Sequence, residues 1–157
     1  MAPDGTCYFA SSATAALRER LGAHAHSNRV PASVLANIVV SHSELRLDSD
    51  LADLCHGEAI RVVGMNREVH TTADYETTRA WATHLHSVGH GGIQYQPRRT
   101  MGPSDHSFAI FGPEGVEGVV PDVYKPSTEV AAEAGLTVLP DAPDLKQVRV
   151  IRPARSR

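Results

Sequence analysis

The chain has 157 residues, 41% of them hydrophobic and 21% charged, and its formal net charge is −3. That length fits one domain, long enough to bury about two-thirds of its unfolded surface. The acidic balance argues against direct nucleic-acid binding, which normally needs a basic surface. No apolar run approaches the ~20 residues of a membrane span, and no basic segment followed by an apolar core marks a secretory signal. Cys7 and Cys55 have neither metal nor redox spacing. They read as two free thiols in a cytoplasmic protein.

In chain order, Asp4-Gly5 is turn chemistry, and Thr6 to Ala10 has the β-branched and aromatic content of a strand. Ser11 and Ser12 can cap a helix over Ala13 to Leu21, where Ala16, Leu17 and Leu21 share a face. Gly22 to Pro31 reads as a surface loop. Val34 to Ser41 reads as a strand because of Ile38-Val39-Val40, and Leu45 to Asp48 as a short second one. Ser49 then caps a predicted helix over Asp50 to Cys55, with acid in its first turn.

The clearest helix is Asp74 to Val88, with Tyr75, Ala82, Leu85 and Val88 as its buried stripe and Gly89 ending it. Ile93 to Tyr95 is a strand, Gln96 to Pro103 a turn, and Phe108 to Phe111 a strand. Val116, Val119, Val120 and Val123 suggest further β-structure broken by Pro121. A helix over Thr128 to Ala134 and strands near Leu136 to Leu139 and Lys146 to Ile151 follow. One domain over 1–152 and a basic tail over 153–157 are expected.

This order puts Tyr8 on a strand that leads straight into the helix carrying Glu19, near one cleft edge. Residue chemistry alone leaves two readings: a functional aromatic–carboxylate pair, or a solvated Arg18-Glu19-Arg20 helix face. The strings that favour the first are Asp4-Gly5-Thr6-Cys7-Tyr8-Phe9-Ala10 followed by Ala15-Ala16-Leu17-Arg18-Glu19, then Asp74 to Ala82, Gly91 to Arg99, and Phe108 to Phe111. Their order and spacing over residues 4 to 140 resemble the RES domain. That family comprises NAD+-degrading toxins of RES–Xre toxin–antitoxin systems, related in fold to ADP-ribosyltransferases.

The resemblance implies an α/β (α+β) fold, a mostly antiparallel β core flanked by helices. It implies an enzyme that cleaves the nicotinamide–ribose bond of NAD+, as a phosphorylase or glycohydrolase, and an Xre-type antitoxin as protein partner. Glu19 matches the family's glutamate, and Tyr8 its tyrosine eleven positions earlier. A carboxylate there can stabilise an oxocarbenium-like ribose, and an aromatic face can stack on nicotinamide.

Arg98 and Arg99 are expected to contact the pyrophosphate, with Tyr95 as a pocket wall. The family also has an Arg upstream of its tyrosine and a Ser in the turn after its glycine-led strand. This sequence begins seven residues before Tyr8 without a counterpart of that Arg, and Pro97 stands at the Ser position. Ser104 or Ser107 is the expected substitute for that Ser, and Ser107 is counted with Arg98, Arg99 and Tyr95 as an expected binding residue. The alternative is a degenerate member that binds a nucleotide or protein without turnover.

Two further residue sets have ordinary readings. His84, His86 and His90 can be read as a zinc-holding cluster of a hydrolase, but the spacing suits helix-end histidines better, and no metal is expected. Cys7, mid-strand, reads as a small buried residue rather than a nucleophile.

Overall fold

Strand β1 (Gly5–Ala10) runs almost directly into helix α1 (Ala13–Leu21). The junction is made by Ser12, extended at the N-cap, whose hydroxyl accepts the Ala15 N–H at 3.1 Å. Gly22 ends the helix at φ 59°, a left-handed conformation that favours glycine. The computed structural model describes residues 5–62, 75–99, 102, 104–113 and 122–141.

Strand β1 is the edge of a four-stranded sheet ordered β1-β6-β5-β4, with β4 at Leu51–Asp53, β5 at Gly92–Tyr95 and β6 at Ser107–Gly112. The β1/β6 and β6/β5 pairs are antiparallel and β5/β4 is parallel. A mixed, mostly antiparallel sheet with helices around it is the expected α/β class. Two ribbons complete the β-structure. Strand β2 (Arg29–Pro31) pairs parallel with β8 (Thr137–Leu139), and β3 (Val39–His42) pairs antiparallel with β7 (Val123–Pro126).

The main core lies on α1. Leu17 and Leu21 pack with Val30, Leu35, Leu136 and the Val130-Ala131 face of helix α5 (Ser127–Glu133). Each fully buried aliphatic side chain there is worth about 1.5–3 kcal/mol. A smaller cluster sits on the sheet, where Leu54 meets Ile93, Tyr95 and Trp81 of helix α4 (Tyr75–Ser87). Helix α4 ends in a Schellman turn: Gly89, at φ 101°, donates to His86 O and His90 N–H donates to Leu85 O. The end of α5 repeats it with Gly135 at φ 69°.

Several expectations are corrected. Residues 22–31 are ordered as a 3-10 helix (Gly22–Ser27) and then β2, because Val30 is needed in the core. The strand expected over Val34 to Ser41 splits into a helical turn, α2 (Ala32–Leu35), and β3. Leu35 is thereby turned inward. Residues 45–48 form no strand. The helix expected over Asp50 to Cys55 is the strand β4, since the open side of β5 supplies backbone partners that outweigh a weak local helix preference. Helix α3 (Gly57–Val62) is a further element that the sequence expectations do not include.

The stripe of α4 is also rotated. Tyr75 and Val88 are exposed, while Trp81, Ala82 and Leu85 face inward. Cys7 is exposed, because β1 is an edge strand. The expectations at Val116, Val119, Val120 and Lys146 to Ile151 lie outside the described residues.

Candidate functional site

Pairing register gathers one set of side chains on a single sheet face. Tyr8 is opposite Ala109, which is opposite Ile93; two residues along, Ala10 is opposite Ser107, which is opposite Tyr95. Directly paired residues share a face, and successive residues alternate. Tyr8, Ser107 and Tyr95 therefore form a patch at the end of the sheet nearest α1.

Helix α1 and its N-cap clamp both ends of the connection between β5 and β6, at Arg99 and at Asp105 and His106. At its start, the Ser12 hydroxyl donates to Asp105 Oδ1 at 3.1 Å. Ser11 and His106 exchange two bonds: Ser11 N–H to His106 O at 2.8 Å and His106 N–H to Ser11 Oγ at 2.9 Å. Two turns on, Glu19 Oε1 accepts the backbone N–H of Arg99 at 3.0 Å. Within the Arg-Glu-Arg run, only Arg20 is exposed. Arg18 is buried, its guanidinium bonding Asn28 Oδ1 at 3.3 Å and Ala134 O at 2.6 Å.

Tyr95 is the electrostatic centre of the patch. Burial pushes its phenol up from the ordinary value; a hydrogen bond with Ser107 opposes this, Glu19 and Tyr8 reinforce it, and Arg98 opposes it. Four of the site residues expected from sequence, Tyr8, Glu19, Arg98 and Ser107, therefore lie within electrostatic reach of the fifth. Arg99 joins through its backbone. Tyr8 is 71% exposed, as a group meant to meet a ligand must be, whereas Ser107 is 2% exposed and committed to Tyr95. Pro97 is buried in the turn.

Beside the patch runs an open groove of about 930 Å³ along the free edge of β1, with Cys7 to Ala10 on it. One wall is the Ala13, Ala16, Leu17, Arg20 stripe of α1, at i, i+3, i+4 and i+7 spacing. The other is the β3/β7 ribbon, where Val40 pairs with Lys125 and His42 with Val123. Tyr8 belongs to both groove and patch.

The three histidines go separate ways. His84 meets Trp81 edge-on, His86 meets Phe111 edge-on at 5.4 Å, and His90 closes the Schellman turn. No group of three metal-ligating side chains occurs among the described residues.

The RES domain family model matches residues 2–151 of the chain. The chain belongs to the RES domain family. No curated protein and no solved structure matches it. In this RES domain the blocks that carry the resemblance fall on β1–α1, on β5 and β6, which build the patch, and on α4, whose Trp81 packs with Tyr95 against Leu54. Sequence reasoning missed Ser12 and Asp105 as the clamp, and Arg20 as a groove residue. Only the helical spacing of Arg20 from Ala13 and Ala16 signalled the latter.

Proposed function

We propose that this RES domain is an NAD+-consuming enzyme that cleaves the nicotinamide–ribose bond. The observation that carries the reading is the Glu19 carboxylate, fixed by the Arg99 N–H beside Tyr95, with exposed Tyr8 lining an open groove.

The C1′–N bond breaks with its electron pair leaving on nicotinamide, and positive charge develops across C1′ and the ring oxygen. A carboxylate held by a backbone N–H is preorganised to face that charge. Tyr8 supplies a ring face for nicotinamide. Attack on C1′ by water releases ADP-ribose and a proton, as in a glycohydrolase; attack by phosphate gives ADP-ribose 1″-phosphate, as in a phosphorylase. No metal enters either step.

The family supplies the setting for this reading: a toxin held inactive by an Xre-type antitoxin that covers the cleft, in the cytoplasm where NAD+ is abundant. Among the described residues, no helix is long and apolar enough to cross a membrane.

One observation favours a second reading, a degenerate member that binds without turnover. Pro97 is buried where the family has a hydroxyl, and Ser107 is occupied by Tyr95. Incubation of purified protein with NAD+, with and without phosphate, separates the two. Nicotinamide release supports the enzyme, and phosphate dependence makes it a phosphorylase. NAD+ binding without release supports the binder.

A further inference from the structure

We propose that Arg20 is the residue that binds the diphosphate of a nucleotide in the groove, with Lys125 on the facing wall as a weaker second cation. The inference rests on the reading of this site as an NAD+ site and names a contact that the sequence assigned elsewhere, to Arg98 and Arg99.

Charge sign is the first observation. The chain carries a net charge of −3, yet no Asp or Glu lines the groove among the described residues. Its charged lining is Arg20 and Lys125, joined by His42 and by Asn37, Ser41 and Ser43 as neutral hydrogen-bonding groups. A cleft lined by one sign of charge concentrates ligands of the other.

Availability is the second. Arg20 is exposed and makes no hydrogen bond or ion pair with any described residue, whereas Arg18, two positions earlier, is buried and bonded to Asn28 and Ala134. Lys125 is shared with Glu133 at 3.2 Å, which weakens its claim. Arg99 gives its backbone N–H to Glu19, and its Nε is buried. A planar guanidinium with no partner among the described residues suits bidentate binding of phosphate oxygens.

Position is the third. Arg20 follows Glu19 directly, and neighbouring helix residues project about 100° apart. Glu19 thus turns toward Arg99 while Arg20 lines the groove, and Tyr8, which lies within electrostatic reach of Tyr95 beside Glu19, lines that same groove. The groove's volume of about 930 Å³ lies within the usual range for ligand sites, roughly 300–1,000 Å³.

The test compares ADP and adenosine binding by calorimetry to the full chain, to Arg20→Ala and to Arg20→Lys, alongside nicotinamide release from NAD+. Arg20 is exposed, so melting curves should not change. ADP should bind the wild type more tightly than adenosine, and Arg20→Ala should weaken ADP about ten- to a hundredfold while leaving adenosine unchanged. Arg20→Lys should recover part of the loss.

Arg20→Ala binding ADP as tightly as wild type overturns the inference and leaves the NAD+ reading standing. Arg20-dependent ADP binding without nicotinamide release supports the inference and removes the catalytic reading. Wild type binding neither ADP nor NAD+ overturns both.

Discussion

Glu19 on α1 holds the backbone N–H of Arg99 at 3.0 Å, across 80 positions of sequence. The same carboxylate is the proposed stabiliser of the ribose cation, so its two duties have to be separated by experiment. Glu19→Ala removes both and should cost about 1.5–3 kcal/mol of stability, the range for a hydrogen bond to a charged group. Glu19→Gln retains an acceptor oxygen for Arg99 but no charge. It should melt near wild type while NAD+ loss falls by about 10²-fold or more. Wild-type turnover in Glu19→Gln would refute the assignment.

Gly92 is sterically compelled. A Cβ there would lie 2.6 Å from Ala109 O, 2.9 Å from Leu51 Cδ2 and 3.1 Å from Ile110 Cα. Two of these are backbone atoms, which cannot rotate away. Gly92→Ala should lower stability by about 1–3 kcal/mol or more, read as an earlier urea midpoint. An unchanged midpoint would mean that β4, β5 and β6 do not pack as described.

Tyr95 should give an alkaline signature. Its folded-state pKa lies above the unfolded value, chiefly through burial. Its contribution to stability is therefore fully present below about pH 10, the unfolded tyrosine value, and is lost as pH rises through the folded pKa. Phenolate absorbance should show one of the four tyrosines titrating above the others, and Tyr95→Phe should remove that late step. Loss of it in Tyr124→Phe instead would point to the wrong ring.

The two thiols should react at different rates. Cys7 is exposed on the groove. Burial pushes the Cys55 thiol up; Gln94 opposes that and Asp53 adds to it. Since the thiolate is the reactive form, iodoacetamide should label Cys7 first at neutral pH. Mass spectrometry of the labelled peptides reads the order. Saturating ADP should slow labelling at Cys7 and leave Cys55 unaffected.

The sequence by itself determined the local elements whose signals are contained within them. Helix α1 follows from Ser12, a run of strong helix formers and Gly22; β5 and β6 follow from short apolar runs between turn residues. The family and the Tyr8–Glu19 register were also legible, because both are spacings along the chain. The tertiary structure decided what depends on distant partners. Residues 51–53 became a strand because β5 offered an unpaired edge, and Arg18 went inside because Asn28 and Ala134 O accept its protons. It likewise turned Glu19 toward Arg99 and Arg20 toward the groove. Adjacent helix residues point to different neighbours, and which neighbour waits on each face is settled only when the chain packs.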